Sequence, residues 1–177
     1  MENDIKIEHF PTTFNKRVKY FASLFFLLFL FVIILTLFKS DSVSEFNFTL
    51  VLLISLFFGL PLLYKTYQNR YFLVDFESDS QNVKILYLHF NEEKYLETTI
   101  DKIEVHLKNT SSRAGFDCEL KVSAENLDFT IDKYFEWDFV EIRKLFEFIQ
   151  FHKNIKPSEQ DQFILSRIEN YIQKNCD

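Results

Sequence analysis

The chain has 177 residues with 20 Lys and Arg against 26 Asp and Glu, a formal charge of −6, and only two glycines. So little glycine argues against a phosphate-cradling loop or a dinucleotide fingerprint, both of which need close backbone approach. The charge is also uneven: residues 71–177 hold thirteen Lys or Arg against twenty-one Asp or Glu, near −8, which disfavours general binding to nucleic acid polymers or anionic headgroups.

Residues 1–20 form a polar N-terminal segment that ends in the basic residues Lys16, Arg17 and Lys19. Two apolar runs follow, 21–38 and 46–64, separated by the polar stretch 39–45. As helices they are about 27 to 29 Å long against roughly 30 Å of bilayer hydrocarbon. The expectation is a membrane α-helical hairpin with 39–45 as its external loop. Basic residues flank the outer ends of both runs, which predicts a multi-pass membrane protein with N and C termini cytoplasmic. Ser55 and Gly59 make a small-xxx-small pair, a pattern that marks close helix packing, and Pro61 predicts a kink.

From Tyr71 the hydrophobic period becomes two. "YFLVDFE", "NVKILYLHF", a turn at Asn91 to Lys94, "YLETTI", "KIEVHLK", "FDCELKV" and "LDFTID" predict six antiparallel strands. Alternation places Ile103, Val105 and Leu107 on one face, with Cys118, Leu120, Val122, Phe129 and Ile131 also inward. "FEWDFVEIRKLFEFIQFHK" then shifts to helical spacing, with Phe135, Phe139, Ile142, Phe146 and Ile149 on one stripe. A further helix over 158–175, capped by Ser158, is expected to serve for packing or for a partner. The fold class expected is therefore a helical hairpin plus an α+β domain over 70–153, an antiparallel meander or partial barrel closed by a helix.

Candidate chemistry is sparse. Asp75, Glu77 and Asp79 alternate and would share a strand face, but a calcium loop needs a tight glycine turn and a later acidic ligand. His89, His106 and Cys118 lack the ligand count of a zinc site. An inward Cys118 is expected to be inert, and Cys118 and Cys176 have no CxxC spacing, so no disulfide is assigned. Phe135, Trp137 and Phe139 form an aromatic group read as core, with a ligand-facing role as the alternative. No catalytic, cofactor-binding or metal residue is assigned.

The segment "TTIDKIEVHLK" and the strand-to-helix passage "IDKYFEWDFVEIRKLFEFI" give the chain its resemblance to bacterial membrane-anchored PH-like proteins. That resemblance implies a seven-strand barrel with a closing helix. Phosphoinositide-binding members of the wider fold place Lys and Arg in the first hairpin. Here "DFESDSQNVK" puts Asp75, Glu77 and Asp79 ahead of its only lysine, so phosphoinositide binding is not expected. The resemblance implies a non-enzymatic scaffold of the bacterial inner membrane that binds a protein partner or a second copy, with the lipid bilayer as its anchor. The alternatives from other classes are a cyclic-oligonucleotide-gated effector of antiphage defence and an immunity protein against a toxin.

Overall fold

The structure, a computed structural model, describes residues 4–39, 48–79, 81–113, 115–132 and 137–175. Its elements in order are β1 (Ile5–Glu8), α1 (Phe14–Lys39), α2 (Phe48–Gln68), β2 (Tyr71–Ser78), β3 (Asn82–His89), β4 (Glu92–Thr99), β5 (Ile103–Asn109), β6 (Cys118–Ala124), β7 (Leu127–Asp132), α3 (Phe139–His152) and α4 (Glu159–Asn175). They form two compact units. One combines the segment up to Thr12 with everything from Tyr71 onward, and the other is Thr13–Arg70.

The helical unit is α1 and α2 packed antiparallel. Arg17 in the first turns of α1 donates from Nη1 to the carbonyl of Asn69, just past α2, at 2.6 Å. Farther along, a Cβ added to Gly59 would meet the Phe25 ring at 3.6 Å, an ordinary contact, so Gly59 lies in the helix–helix seam. The Arg17 side chain is buried, and desolvation lowers its pKa to about 10. Its guanidinium sits where the C-terminal carbonyls of α2 place partial negative charge, an arrangement that stabilises both helix ends. Arg17, expected only as a flanking charge, is thus a clamp at the base of the helix pair.

Among the described residues, no helix is long and apolar enough to cross a membrane. This corrects the expected transmembrane hairpin, the multi-pass inner-membrane location with both termini cytoplasmic, and the bilayer anchor that rested on them. The physical reason is apolar length. The described part of α2 ahead of Lys65, from Phe48 to Tyr64, is about 25 Å long against roughly 30 Å of hydrocarbon. α1 gives its first turns to Asn15, Lys16, Arg17 and Lys19, so its apolar part is shorter than its 26 residues. Most of the expected external loop 39–45, from residue 40 onward, lies outside the described residues. α1 and α2 do expose large apolar side chains, among them Phe26, Leu27, Phe31, Phe57, Leu60 and Leu63. Apolar surface of this extent marks a contact surface.

Among the described residues the β unit has seven strands, where six were expected. A four-stranded antiparallel sheet has the order β1-β2-β3-β4, and a three-stranded one has β5-β6-β7. The added strand is β1, whose residues pair from Ile5↔Ser78 to Glu8↔Asp75, so its partner lies beyond the whole helical unit in sequence. β4 also starts earlier than expected. The β3–β4 turn is only Phe90–Asn91, with Phe90 at φ 56°, and Glu92, Glu93 and Lys94 belong to the strand. Charged residues on both faces suit an edge strand, where they discourage pairing with other chains.

The inward faces of both sheets share one core with α3 and α4, including Phe76, Ile85, Ile103, Leu120, Val122, Phe129, Ile131, Phe146 and Ile164. α3 starts at Phe139 because Asp138 caps it. The Asp138 side chain accepts from Val140 N–H while Glu141 accepts from Asp138 N–H. α4 is capped by Ser158, whose Oγ accepts from Asp161 N–H at 3.1 Å. It buries Ile164 and Ile168 completely. Tyr171 of α4 meets Phe139 edge-on at 4.9 Å between ring centroids, and Arg143 of α3 faces Glu169 at 3.9 Å. α4 is therefore a packed third layer on this face.

Candidate protein-binding groove

The aromatic group around Trp137 divides on inspection. Trp137 and Phe139 are each 2% exposed and belong to the core, while Phe135 lies outside the described residues. Trp137 stacks on His9, with ring centroids 4.4 Å apart, which ties the segment after β1 to the entry of α3. Of the small-residue pair, Gly59 has the helix contact given above, and the Ser55 side chain lies outside the described set.

The acidic alternation at the end of β2 is not a ligand cluster. A bulge between Leu73 and Asp75 shifts the register there, and Glu77 sits in a cross-strand row of Lys6, Glu77, Lys84 and Glu97 with alternating sign. Asp79 is occupied in its own turn, accepting from Asn82 N–H at 2.9 Å. His89 lies against Tyr71 in the first sheet, whereas His106 and Cys118 are in the second sheet on opposite faces. Among the described residues, no three His, Cys, Asp or Glu side chains gather as a metal site.

Cys118 is fully buried, and desolvation pushes its thiol pKa up to about 12. The nucleophilic thiolate is therefore suppressed throughout the physiological range. In a Cys176→Ser background, a soluble aromatic disulfide reagent at pH 8 is expected to leave Cys118 unmodified in the folded chain and to titrate one thiol in denaturant. Rapid reaction without denaturant would show that this part of the core is open.

The most promising recognition feature lies along β5. β5 is an outer strand of its sheet, and the side facing away from β6 opens onto a groove of about 520 Å³ walled by Gln150, Lys153, Ile155, Lys156 and the first turn of α4. Two hydrogen bonds establish which backbone groups face that groove. Thr110 N–H donates to the Asp117 carbonyl, continuing the β6 pairing through even-numbered residues, and the Ile103 carbonyl instead accepts from Lys153 Nζ at 2.7 Å. In an antiparallel pair the two sets alternate, so the N–H and C=O groups of Val105 and Leu107 point to the open edge. Their side chains are buried, while Glu104 and His106 stand on the exposed face.

Beside this edge, Gln150 Oε1 is buried without a hydrogen-bond partner, and Ile155 is 49% exposed. Glu104 and Asp161 line the same groove as Lys153 and Lys156, and Asp161 Oδ2 accepts from both the N–H and the Oγ–H of Ser158. None of this groove was expected from the sequence, because its two walls are some fifty residues apart. The only local signal was the wet-faced alternation of "KIEVHLK", which identifies a strand without saying that it is an edge. No protein-family model, curated protein or solved structure matches the chain.

Proposed function

We propose that this chain is a non-enzymatic protein-binding module whose β unit is PH-like and whose partner occupies the groove between β5 and the α3–α4 elbow. The single observation behind this reading is the groove itself. It joins an apolar side chain held in water, Ile155, to an open strand edge. Each of these is costly in water and is satisfied by a polypeptide. The four-plus-three strand arrangement with a helix after the last strand supports the PH-like description.

Site-specific photocrosslinking in cells tests the reading, with a photoreactive residue at position 106 or 155 and a control at the exposed Tyr95. Positions 106 and 155 are expected to capture the same discrete protein, which when purified binds the native chain and not Ile155→Asp. Adducts no more specific than those from Tyr95 would overturn the reading. Saturable binding of a cyclic dinucleotide, read by calorimetry, would replace it with the ligand-gated alternative.

A further inference from the structure

The helical unit carries a surface of its own. α2 exposes Leu53, Phe57, Leu60, Tyr64 and Tyr67, which recur at steps of four and three, the spacing of a helix that packs along another helix. Leu56 and Leu63 widen the stripe to about 120° of the helix face. Gly59, which faces α1, is turned about 100° from Leu60 at the middle of the stripe. α2 can thus keep α1 on one side and take a further helix on the next, the two-neighbour arrangement of a four-helix bundle.

We infer that this further helix is α2 of a second copy of the chain, packed antiparallel about a two-fold axis near Leu60. Area argues for that occupant. The side chains of the stripe are each between 51% and 73% exposed. Together they offer on the order of 800 Å², the share that one partner contributes to a stable dimer. The exposed apolar side chains described on α1 run only from Phe26 to Ile34 and offer on the order of 500 Å², too little alone.

Charge argues the same way. α1 and α2 contain no Asp or Glu, and the stripe carries no charge, so it has nothing with which to select a charged partner and is complementary to itself. The direction follows from the helix ends. Lys16, Arg17 and Lys19 open α1 and Arg70 follows α2, and the bond from Arg17 to Asn69 places these cations at one end of the pair. Parallel packing would bring two such ends together. Antiparallel packing sets each against the far end of the other pair, where the helices contribute Lys39 alone.

The full chain, dispersed in mild detergent, is expected to sediment with a protein mass twice its 21.4 kDa. Leu60→Asp should halve that mass and leave the helical circular dichroism and the melting of the β unit unchanged, because Leu60 is exposed. Phe31→Asp on α1 should leave the dimer intact. Crosslinking decides the matter even where Leu60→Asp unfolds the helix pair. In the Cys176→Ser chain, whose Cys118 is buried, Leu60→Cys should form a disulfide with its own copy under mild oxidation. Leu53→Cys should crosslink only to Tyr67→Cys, when the two variants are mixed.

A monomeric native chain, or a dimer that survives Leu60→Asp, would overturn pairing through α2. A folded but monomeric Phe31→Asp would overturn it in favour of α1. Self-crosslinking at all three positions would overturn the antiparallel order. Uptake into phosphatidylcholine vesicles as a monomer, with the Leu60→Cys crosslink lost, would make lipid the occupant and overturn the second copy.

Discussion

Phe129→Asp is expected to unfold the β unit. Phe129 is 0% exposed on β7, opposite Val122 of β6, with its ring 5.5 Å from that of Tyr87 and 6.4 Å from that of Tyr71. A carboxylate there loses the ring's burial and is desolvated. Together these put the cost above about 5 kcal/mol, comparable to the whole stability of a small domain. Circular dichroism melts should show no cooperative transition at neutral pH. The control Phe129→Leu keeps an apolar side chain and should lower stability by about 1 kcal/mol. Acid is expected to act in the opposite sense to its usual effect. Burial raises the folded-state pKa of the introduced carboxyl, so its penalty is full above that raised value and disappears as pH falls below the unfolded carboxylate range. A melting curve unchanged by Phe129→Asp would mean that the assigned inward face of β7 is wrong.

Removal of β1 should be nearly as damaging. A chain beginning at residue 70 lacks Ile5 and Ile7, both buried, and leaves the β2 edge unpaired from Asp75 to Ser78. It also loses the His9 ring stacked on Trp137 and the bond from His9 N–H to the Val74 carbonyl at 2.7 Å. The milder substitution Ile7→Ala should cost about 2 to 4 kcal/mol by the deletion of buried methyl groups. In contrast, replacing residues 13–70 by a short Gly–Ser linker is expected to preserve cooperative melting. β1 ends opposite Asp75, and His9 N–H still reaches the Val74 carbonyl close to the start of β2, so the linker has little distance to span. Equal stability of the chain beginning at residue 70 and the linker-joined chain would show that β1 is not part of the fold.

Local periodicity carried much of the β unit. Alternation is a property of consecutive residues, so the buried set Ile103, Val105 and Leu107 and the set Cys118, Leu120 and Val122 could be assigned without knowing what they face. The stripe through Phe139, Ile142, Phe146 and Ile149 identified the closing helix in the same way, and Ser158 marked the start of α4. β1 was invisible because "IKIE" is too short to establish a period, and its pairing depends on β2, which returns only after the helical unit. The edge run Glu92 to Lys94 looked like a turn, since a strand wet on both faces has no hydrophobic alternation to detect. Apolar runs alone pointed to membrane spans. That Arg17 is a buried clamp on Asn69 is a tertiary fact. The groove is the clearest case. Whether β5 is an edge, and whether Lys153 reaches the Ile103 carbonyl beside it, depends on how sheets and helices close in space, because hydrogen-bond partners that far apart leave no local pattern. Sequence by itself thus determined which faces are apolar, through short-range periodicity. Only tertiary packing decided which backbone edge remains unpaired and which charges stand beside it.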